Sequence, residues 1–310
     1  MSSPARPRIA CEISASHLLA GRADDSGTVV EYYTARSLPP GTVAPGLAPA
    51  NVLAAGALRD AIAGALAAAG GRSRDVIAVL PDAAVRVVLL DFETLPERPA
   101  EAAAIVRFRL KKSVPFDAEH AAVSYQAHRS NGSVKVVAAV ANAAVIAEYE
   151  AAFRDAGYHP GVVVPSTLAA LGLVDTSVPT MVVKVESASI TVAIAHHDEL
   201  RLFRMLENHH GAGISGAQLS EDVYPSAVFF QDTYDAGIER VLVAGEAPLE
   251  QVASALAAQT GARVEELVTA RHVGSSLSGD AIPRSLLAGL AGLYVVWPKN
   301  EPATELAQGQ

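Results

Sequence analysis

Gly211-Ala212-Gly213-Ile214-Ser215-Gly216 matches the spacing G-x-G-x-x-G, which in a dinucleotide site brings backbone N–H groups up to a pyrophosphate. That chemistry needs the loop to follow a parallel strand and open a crossover helix. Here it follows Glu207-Asn208-His209-His210 and a hairpin strand, so a flexible loop is the expectation. Two histidine pairs, His196-His197 and His209-His210, raise the question of a metal. Neighbours on a strand point to opposite faces, so neither pair makes a natural chelate; surface turns are expected, and no metal. The single cysteine, Cys11, falls inside a predicted strand with no histidine pattern aimed at it. It reads as a small core residue in a reducing compartment, not as a nucleophile. No Ser-His-Asp set, acid dyad or Walker loop stands out.

The elements that would position any chemistry centre on Met181–Glu207. Period-two alternation there predicts strands Met181–Val185, Ser189–Ala195 and Leu200–Leu206, joined by polar turns at Glu186-Ser187 and His196-His197-Asp198-Glu199. The same figure occurs near the N-terminus as Arg8–Ile13, Ser16–Arg22 and Thr28–Ser37, with a turn at Asp24-Asp25-Ser26-Gly27. Both copies carry Ser-Ala-Ser at the first hairpin, Ser14-Ala15-Ser16 and Ser187-Ala188-Ser189. Matching strand order and turn placement make this a duplicated domain core.

The chain has 310 residues, long enough for two domains that each bury a core. With 50% apolar and 18% charged residues it is an ordered globular protein. A net charge of −9 gives no general attraction to nucleic acid or anionic lipid. MSSPARPR lacks the apolar run of a signal peptide, and the Ala-rich stretch Val52–Ala69 is interrupted by Arg59 and Asp60. It reads as an amphipathic helix closed by Gly70-Gly71, and Leu286–Trp297 is too short to cross a bilayer. A soluble cytoplasmic chain is expected.

Between the copies, strands are predicted at Asp75–Leu80 and Val85–Phe92, then a helix over Glu101–Lys112 ended by Pro115-Phe116. A hairpin follows, Ala122–Arg129 with Ser133–Ala141 across Asn131-Gly132, then helix Asn142–Ala156, strand Val162–Val164 and helix Ser166–Leu171. After the second copy come helix Leu219–Tyr234, with Pro225 in its first turn or at a kink, and strand Arg240–Ala244. Helix Leu249–Gln259, strand Val264–Leu267 and helix Arg284–Val296 complete the order, with a polar, disordered tail from Pro298.

Three strands with two hairpins and then a helix, occurring twice, resemble the actin-like fold of sugar kinases and heat-shock proteins. A sharper resemblance is carried by Val79-Leu80-Pro81-Asp82, Val85-Arg86-Val87 and Leu95-Pro96, then Ile105–Lys112 running into Val114-Pro115-Phe116, then Ser124-Tyr125-Gln126. In that order these segments resemble the PilM family of type IV pilus assembly proteins, related to the cytoplasmic part of GspL in type II secretion. The resemblance implies an α/β fold of duplicated ribonuclease H-like cores. The first core is expected over 1–75 plus 160–175, an inserted α/β subdomain over 76–159, the second core over 176–297, and the tail over 298–310. It implies a cytoplasmic adaptor, peripheral to the inner membrane through a partner, that clamps the N-terminal tail of a PilN-like membrane protein beside the inserted module. Arg107, Phe108, Arg109, Lys111, Lys112, Val114, Pro115 and Phe116 are the expected groove residues. Other pilus or secretion platform proteins, and a homo-oligomeric ring, fit the same role; nucleic acid and direct membrane insertion do not.

The family pattern Asp-Ile-Gly-Ser at both first hairpins places Mg²⁺ and phosphates between the halves. Here the corresponding residues are Glu12-Ile13-Ser14-Ala15-Ser16 and Lys184-Val185-Glu186-Ser187, and the adenosine segment is Val243-Ala244-Gly245-Glu246. A carboxylate facing phosphates without a cation repels them. The resemblance therefore implies a degenerate site, with Glu12, Ser14, Ser16, Glu186, Ser187 and Gly245 as its remains, no cofactor and no catalysis. The alternative is a working ATPase in which Mg²⁺–ATP switches partner binding through those same residues. A small-molecule kinase needs a catalytic aspartate in the cleft, and neither Asp82 nor Asp175 is a convincing one.

Overall fold

The computed structural model describes residues 6–130, 132–277 and 282–295; the tail expected from residue 298 lies outside them. β1 (Ile9–Ile13), β2 (His17–Ala23) and β3 (Val30–Ser37) form an antiparallel meander. Every residue of β1 is buried, Cys11 included, because helices will cover both faces of its sheet. α1 (Ala55–Ala69) turns Leu58, Ile62, Ala65, Leu66 and Ala69 inward, the spacing of one helical face. It starts later than expected and leaves Leu53 exposed. β4 (Asp75–Leu80) then runs parallel to β1.

The chain next leaves the sheet. β5 (Arg86–Phe92), α2 (Pro99–Leu110), β6 (Ala122–Ser130) and β7 (Ser133–Ala141) make a module with its own antiparallel sheet, ordered β5-β7-β6. Val106 and Leu110 of α2 and Val134, Val136, Ala138 and Val140 of β7 form its core. α3 (Ala143–Asp155), β8 (His159–Pro165) and α4 (Ser166–Ala170) return to the first sheet. The second half is β9 (Thr180–Val185), β10 (Ser189–His196), β11 (Glu199–Glu207), α5 (Gly216–Tyr234), β12 (Arg240–Gly245), α6 (Leu249–Thr260) and β13 (Arg263–Glu266). β14 (Val273–Ser276) and α7 (Ala288–Val295) follow.

The two large sheets run β14-β3-β2-β1-β4-β8 and β11-β10-β9-β12-β13. Within them β3-β2-β1-β4 and β11-β10-β9-β12 have the same pairing senses, antiparallel, antiparallel, parallel. The duplication is therefore real, but its register is not that of the Ser-Ala-Ser match. The first hairpin closes through Ser14 N–H to the His17 carbonyl at 2.9 Å, and its counterpart through Glu186 N–H to the Ser189 carbonyl at 2.8 Å. Ser14 thus corresponds to Glu186, and Glu12 to Lys184.

Several boundaries differ from expectation. β4 belongs to the first large sheet, and Val145, Tyr149, Ala152 and Phe153 of α3 pack with α1. The separate module is therefore narrower than residues 76–159. β14, unread in the sequence, pairs with β3 through Val273 opposite Val30, and α7 packs on α4, β1 and β2. The segment from Val273 onward thus completes the first sheet instead of the second core. The physical reason is a shared core: Ile77, Val79, Ala170, Val182, Leu242, Leu287 and Leu290 come from both sheets and from the C-terminal segment. Pro225 lies in the middle of α5, whose start is set by a Ser215/Gln218 capping box, so it is interior to the helix and not in its first turn.

One contact fastens α3 to the loop ahead of α1. The Glu148 carboxylate accepts from the backbone N–H groups of Ala50, Asn51 and Val52 at 2.8, 2.7 and 3.0 Å. Burial pushes its pKa up, but the three donors outweigh this and hold it below the usual value. A lowered carboxylate stabilises the fold above its ordinary pKa, about 4.3, and that contribution is lost as pH falls through the folded value. Glu148→Ala should cost about 1–3 kcal/mol at pH 7, measured by urea unfolding, and the gap to wild type should close towards pH 3.

Candidate functional site

Glu12 at the end of β1 and Lys184 on β9, equivalent positions of the two cores, meet in the interior between the lobes. The Lys184 ammonium lies 3.1 Å from Glu12 Oε1 and 2.5 Å from Glu186 Oε1. Ser166 at the start of α4 donates to Glu12 and receives from Lys184. All of these side chains are buried, Lys184 being 2% exposed. Burial alone would depress the lysine, but Glu186, Glu12 and Asp82 together raise it well above its ordinary value, so it stays charged. Burial opposes ionisation of Glu186, yet Lys184 holds it below the usual range.

Asp82 completes the cluster. It accepts from the Thr167 backbone N–H at 2.9 Å, from the Thr167 hydroxyl, and from the Thr191 hydroxyl at 2.9 Å. Its carboxylate thereby joins α4 of the first core to β10 of the second. Burial, helped by Glu186, raises its pKa against the pull of Lys184. These bonds tie the two lobes together through one buried carboxylate.

At the mouth, Ser14 Oγ accepts from His17 N–H at 3.0 Å and shapes the first hairpin. Ser16 Oγ donates to Glu246 Oε1 at 2.7 Å, and His17 Nδ1 lies 3.6 Å from the same oxygen. Beside them is a cleft of about 440 Å³ whose lining includes Ser16, His17, Arg36, Gly245 and Glu246 together with the apolar Ile282, Pro283 and Leu286. Gly245 is required for backbone packing: its φ is +89°, and a Cβ there would lie 2.0 Å from the Val185 carbonyl oxygen. Ser187 is half-buried. The structure thus places Ser16 and Gly245 at this cleft, and buries Glu12 and Glu186 on Lys184 behind it. Sequence reasoning missed Ser166, Thr167, Thr191 and Glu246 as their partners, and treated Lys184 only as a departure. The signal was a lysine within a strand otherwise made of Met, Thr and Val.

The G-x-G-x-x-G stretch is an ordered helix entry, not a flexible loop. Gly211–Gly213 is a 3₁₀ turn, and the Asn208 side chain bonds the carbonyls of Glu186 and Gly211 at 2.7 and 3.0 Å. It follows β11, an antiparallel edge strand, which is not the setting of a dinucleotide loop. His196 and His197 stack on each other, and no group of metal-ligating side chains is present among the described residues.

The expected groove residues scatter over the module. Arg107 donates to the carbonyls of Ala118 and Ala121 at 2.7 and 2.8 Å, fixing the chain after α2. Arg109 covers the Phe92 ring, Lys111 pairs with Glu119, and Pro115 is exposed. Val114 and Phe116 pack against the module core. Phe108, 68% exposed, and Ile105 form an apolar patch on α2. Only Lys112 of the expected residues lines the large groove between module and second core.

No protein-family model and no curated protein sequence matches the chain. Solved structures do. A chain of the PilM-PilN type IV pilus biogenesis complex superimposes with a TM-score of 0.78 at 20% identity, covering 93% of this chain and 98% of that one. The fold is actin-like. The cytoplasmic domain of EpsL, an inner-membrane component of the Vibrio cholerae type II secretion system, matches with a TM-score of 0.51 at 8% identity over 92% of both chains. The ethanolamine utilization protein EutJ from Carboxydothermus hydrogenoformans matches with a TM-score of 0.52 at 12% identity, covering 94% of this chain and 91% of its own. No helix among the described residues is long and apolar enough to cross a membrane.

Proposed function

We propose that this chain is a PilM-type adaptor of a pilus or secretion assembly platform, which binds the tail of a PilN-like membrane protein and carries no working nucleotide site. The observation that carries the assembly role is the match to a PilM-PilN chain over nearly the whole of both proteins, inserted module included. Support for a lost nucleotide site comes from the buried ammonium of Lys184, which bridges the Glu12 and Glu186 carboxylates. A lysine there fills the space between the lobes with a permanent cation. Admitting Mg²⁺ and phosphates would require breaking a buried ion pair, a cost of about 3–5 kcal/mol. The tail's apolar anchors would rest on the Ile105/Phe108 patch.

A thermal shift assay tests both parts. Mg²⁺–ATP should leave the melting temperature unchanged, whereas a PilN-type N-terminal peptide at a hundredfold over its Kd should add about 2.7 kcal/mol. Phe108→Ala should weaken that peptide roughly tenfold. A shift with Mg²⁺–ATP that Glu12→Ala abolishes would establish a nucleotide switch instead. No shift with the peptide would remove the adaptor reading.

A further inference from the structure

A groove of about 870 Å³ runs between the inserted module and the second core. Arg86 through Asp91 of β5 line it without a break, and so do Leu200 through Arg204 of β11. Side chains alternate across a strand, so an unbroken run lining one groove shows it the backbone as well as a face. β5 and β11 are each the outermost strand of their sheet, and the two lie against each other without hydrogen-bonded pairing. Such edges offer alternating N–H and C=O groups to another chain. α5 supplies a wall, with Phe229 51% exposed. Within that wall and the neighbouring strand, Ser226 Oγ and Arg201 Nε are buried without a hydrogen-bond partner among the described residues.

The groove's charge opposes that of the molecule. Arg86, Lys112 and Arg204 stand exposed at it, with no ion-pair partner among the described residues, while Asp91 is the one lining carboxylate. Lys135 and Arg201 also line it and share Glu199 at 3.0 and 2.6 Å. A basic groove on a chain of net charge −9 selects an acidic occupant.

We infer that this groove receives an extended acidic segment of a partner protein, its backbone paired with the free N–H and C=O groups of one of the two edge strands and its carboxylates held by Arg86, Lys112 and Arg204. A phosphate or nucleic acid would use the cations but leave the edge carbonyls and the Phe229 ring without partners. Six lining residues of β5 correspond to a strand of about six residues, roughly 20 Å long. This interaction is separate from tail docking on α2 and does not depend on it.

Selection of random heptapeptides by phage display on the intact chain tests the inference. Enriched peptides should carry Asp or Glu at alternating positions. Their affinity for the Arg86→Glu/Lys112→Glu/Arg204→Glu variant should fall at least about tenfold, and for the milder Arg204→Gln in the same direction. Methylating alternate amides of a selected peptide should abolish binding, because strand pairing needs those N–H groups. Hydrogen exchange should slow in residues 86–92 or 199–207 on binding, and Phe108→Ala should leave the affinity unchanged. Enrichment of neutral, basic or helical sequences, no enrichment, or binding indifferent to charge reversal or amide methylation would overturn it. So would full displacement of the peptide by inorganic phosphate or duplex DNA.

Discussion

Lys184→Met should lower stability by about 3–5 kcal/mol at pH 7, because it leaves Glu12 and Glu186 buried without their cation. At about 2–4 °C per kcal/mol for a chain of this order, the melting temperature should drop by roughly 10 °C. The pH dependence has a definite sign. Lys184 is raised in the folded state, so its contribution is complete below its ordinary pKa and is lost only as pH rises through the folded value. Glu186 is lowered, so its contribution is complete above the usual carboxylate pKa and is lost as pH falls. In the variant Glu186 lacks its cation and burial pushes it up, so its protonation relieves the strain. The gap between wild type and variant should therefore narrow from pH 7 towards about pH 4. Adding Glu186→Gln to Lys184→Met should recover part of the loss at neutral pH, the coupling a double-mutant cycle reads. A loss within about 1 kcal/mol, or no narrowing in acid, would show that the cluster does not hold the lobes together.

Gly292→Ala should also be severe, although helix propensity argues the other way. In a free helix alanine is favoured over glycine by about 1 kcal/mol. Here a Cβ on Gly292 would lie 2.1 Å from the Ala169 carbonyl oxygen and 2.7 Å from Ala170 Cα. Both are backbone atoms of α4, which no rotamer change can move. The approach is mutual, since a Cβ on Gly172 would meet the Gly292 carbonyl oxygen at 2.3 Å. Forcing the helices apart opens the core shared by the two sheets, at a cost of about 2–3 kcal/mol. Gly237→Ala, where a Cβ would meet nothing within 4 Å, is the control and should be nearly neutral. Urea midpoints of the two variants decide it: equal midpoints would mean that α7 does not dock tightly on α4.

Most elements were legible because their burial is local and periodic. β4 carries a near-continuous apolar run, and its ends fell where the sequence placed them. α6 ended at Gly261, whose φ of +71° is a helix stop that glycine adopts without strain. The misreadings occurred where a distant part of the chain decides. Val273-Gly274-Ser275-Ser276 is too short and polar to announce a strand, and it becomes one only because the edge of β3 is there to pair with it. Gly211–Gly216 looked like a flexible loop because the Asn208 and Ser215/Gln218 bonds that order it depend on the folded turn.

The candidate site divides in the same way. The sequence alone determined that the chain repeats a three-strand unit, that a module interrupts the first copy, and that a lysine stands within an otherwise uncharged strand. Those are properties of residue type and period, which every fold of this chain must satisfy. The Ser-Ala-Ser match, read as text, is one residue out of the register that the Ser14–His17 and Glu186–Ser189 backbone bonds set, whereas Glu12–Ser14 and Lys184–Glu186 were aligned in it. Only the tertiary structure decided that Lys184 neutralises Glu12 and Glu186, that Asp82 ties α4 to β10, and that α7 closes the first core. Apart from Lys184–Glu186, those pairings join residues far apart in the chain, and burial decides them: a charge removed from water must find its partner wherever the packed lobes bring one within reach.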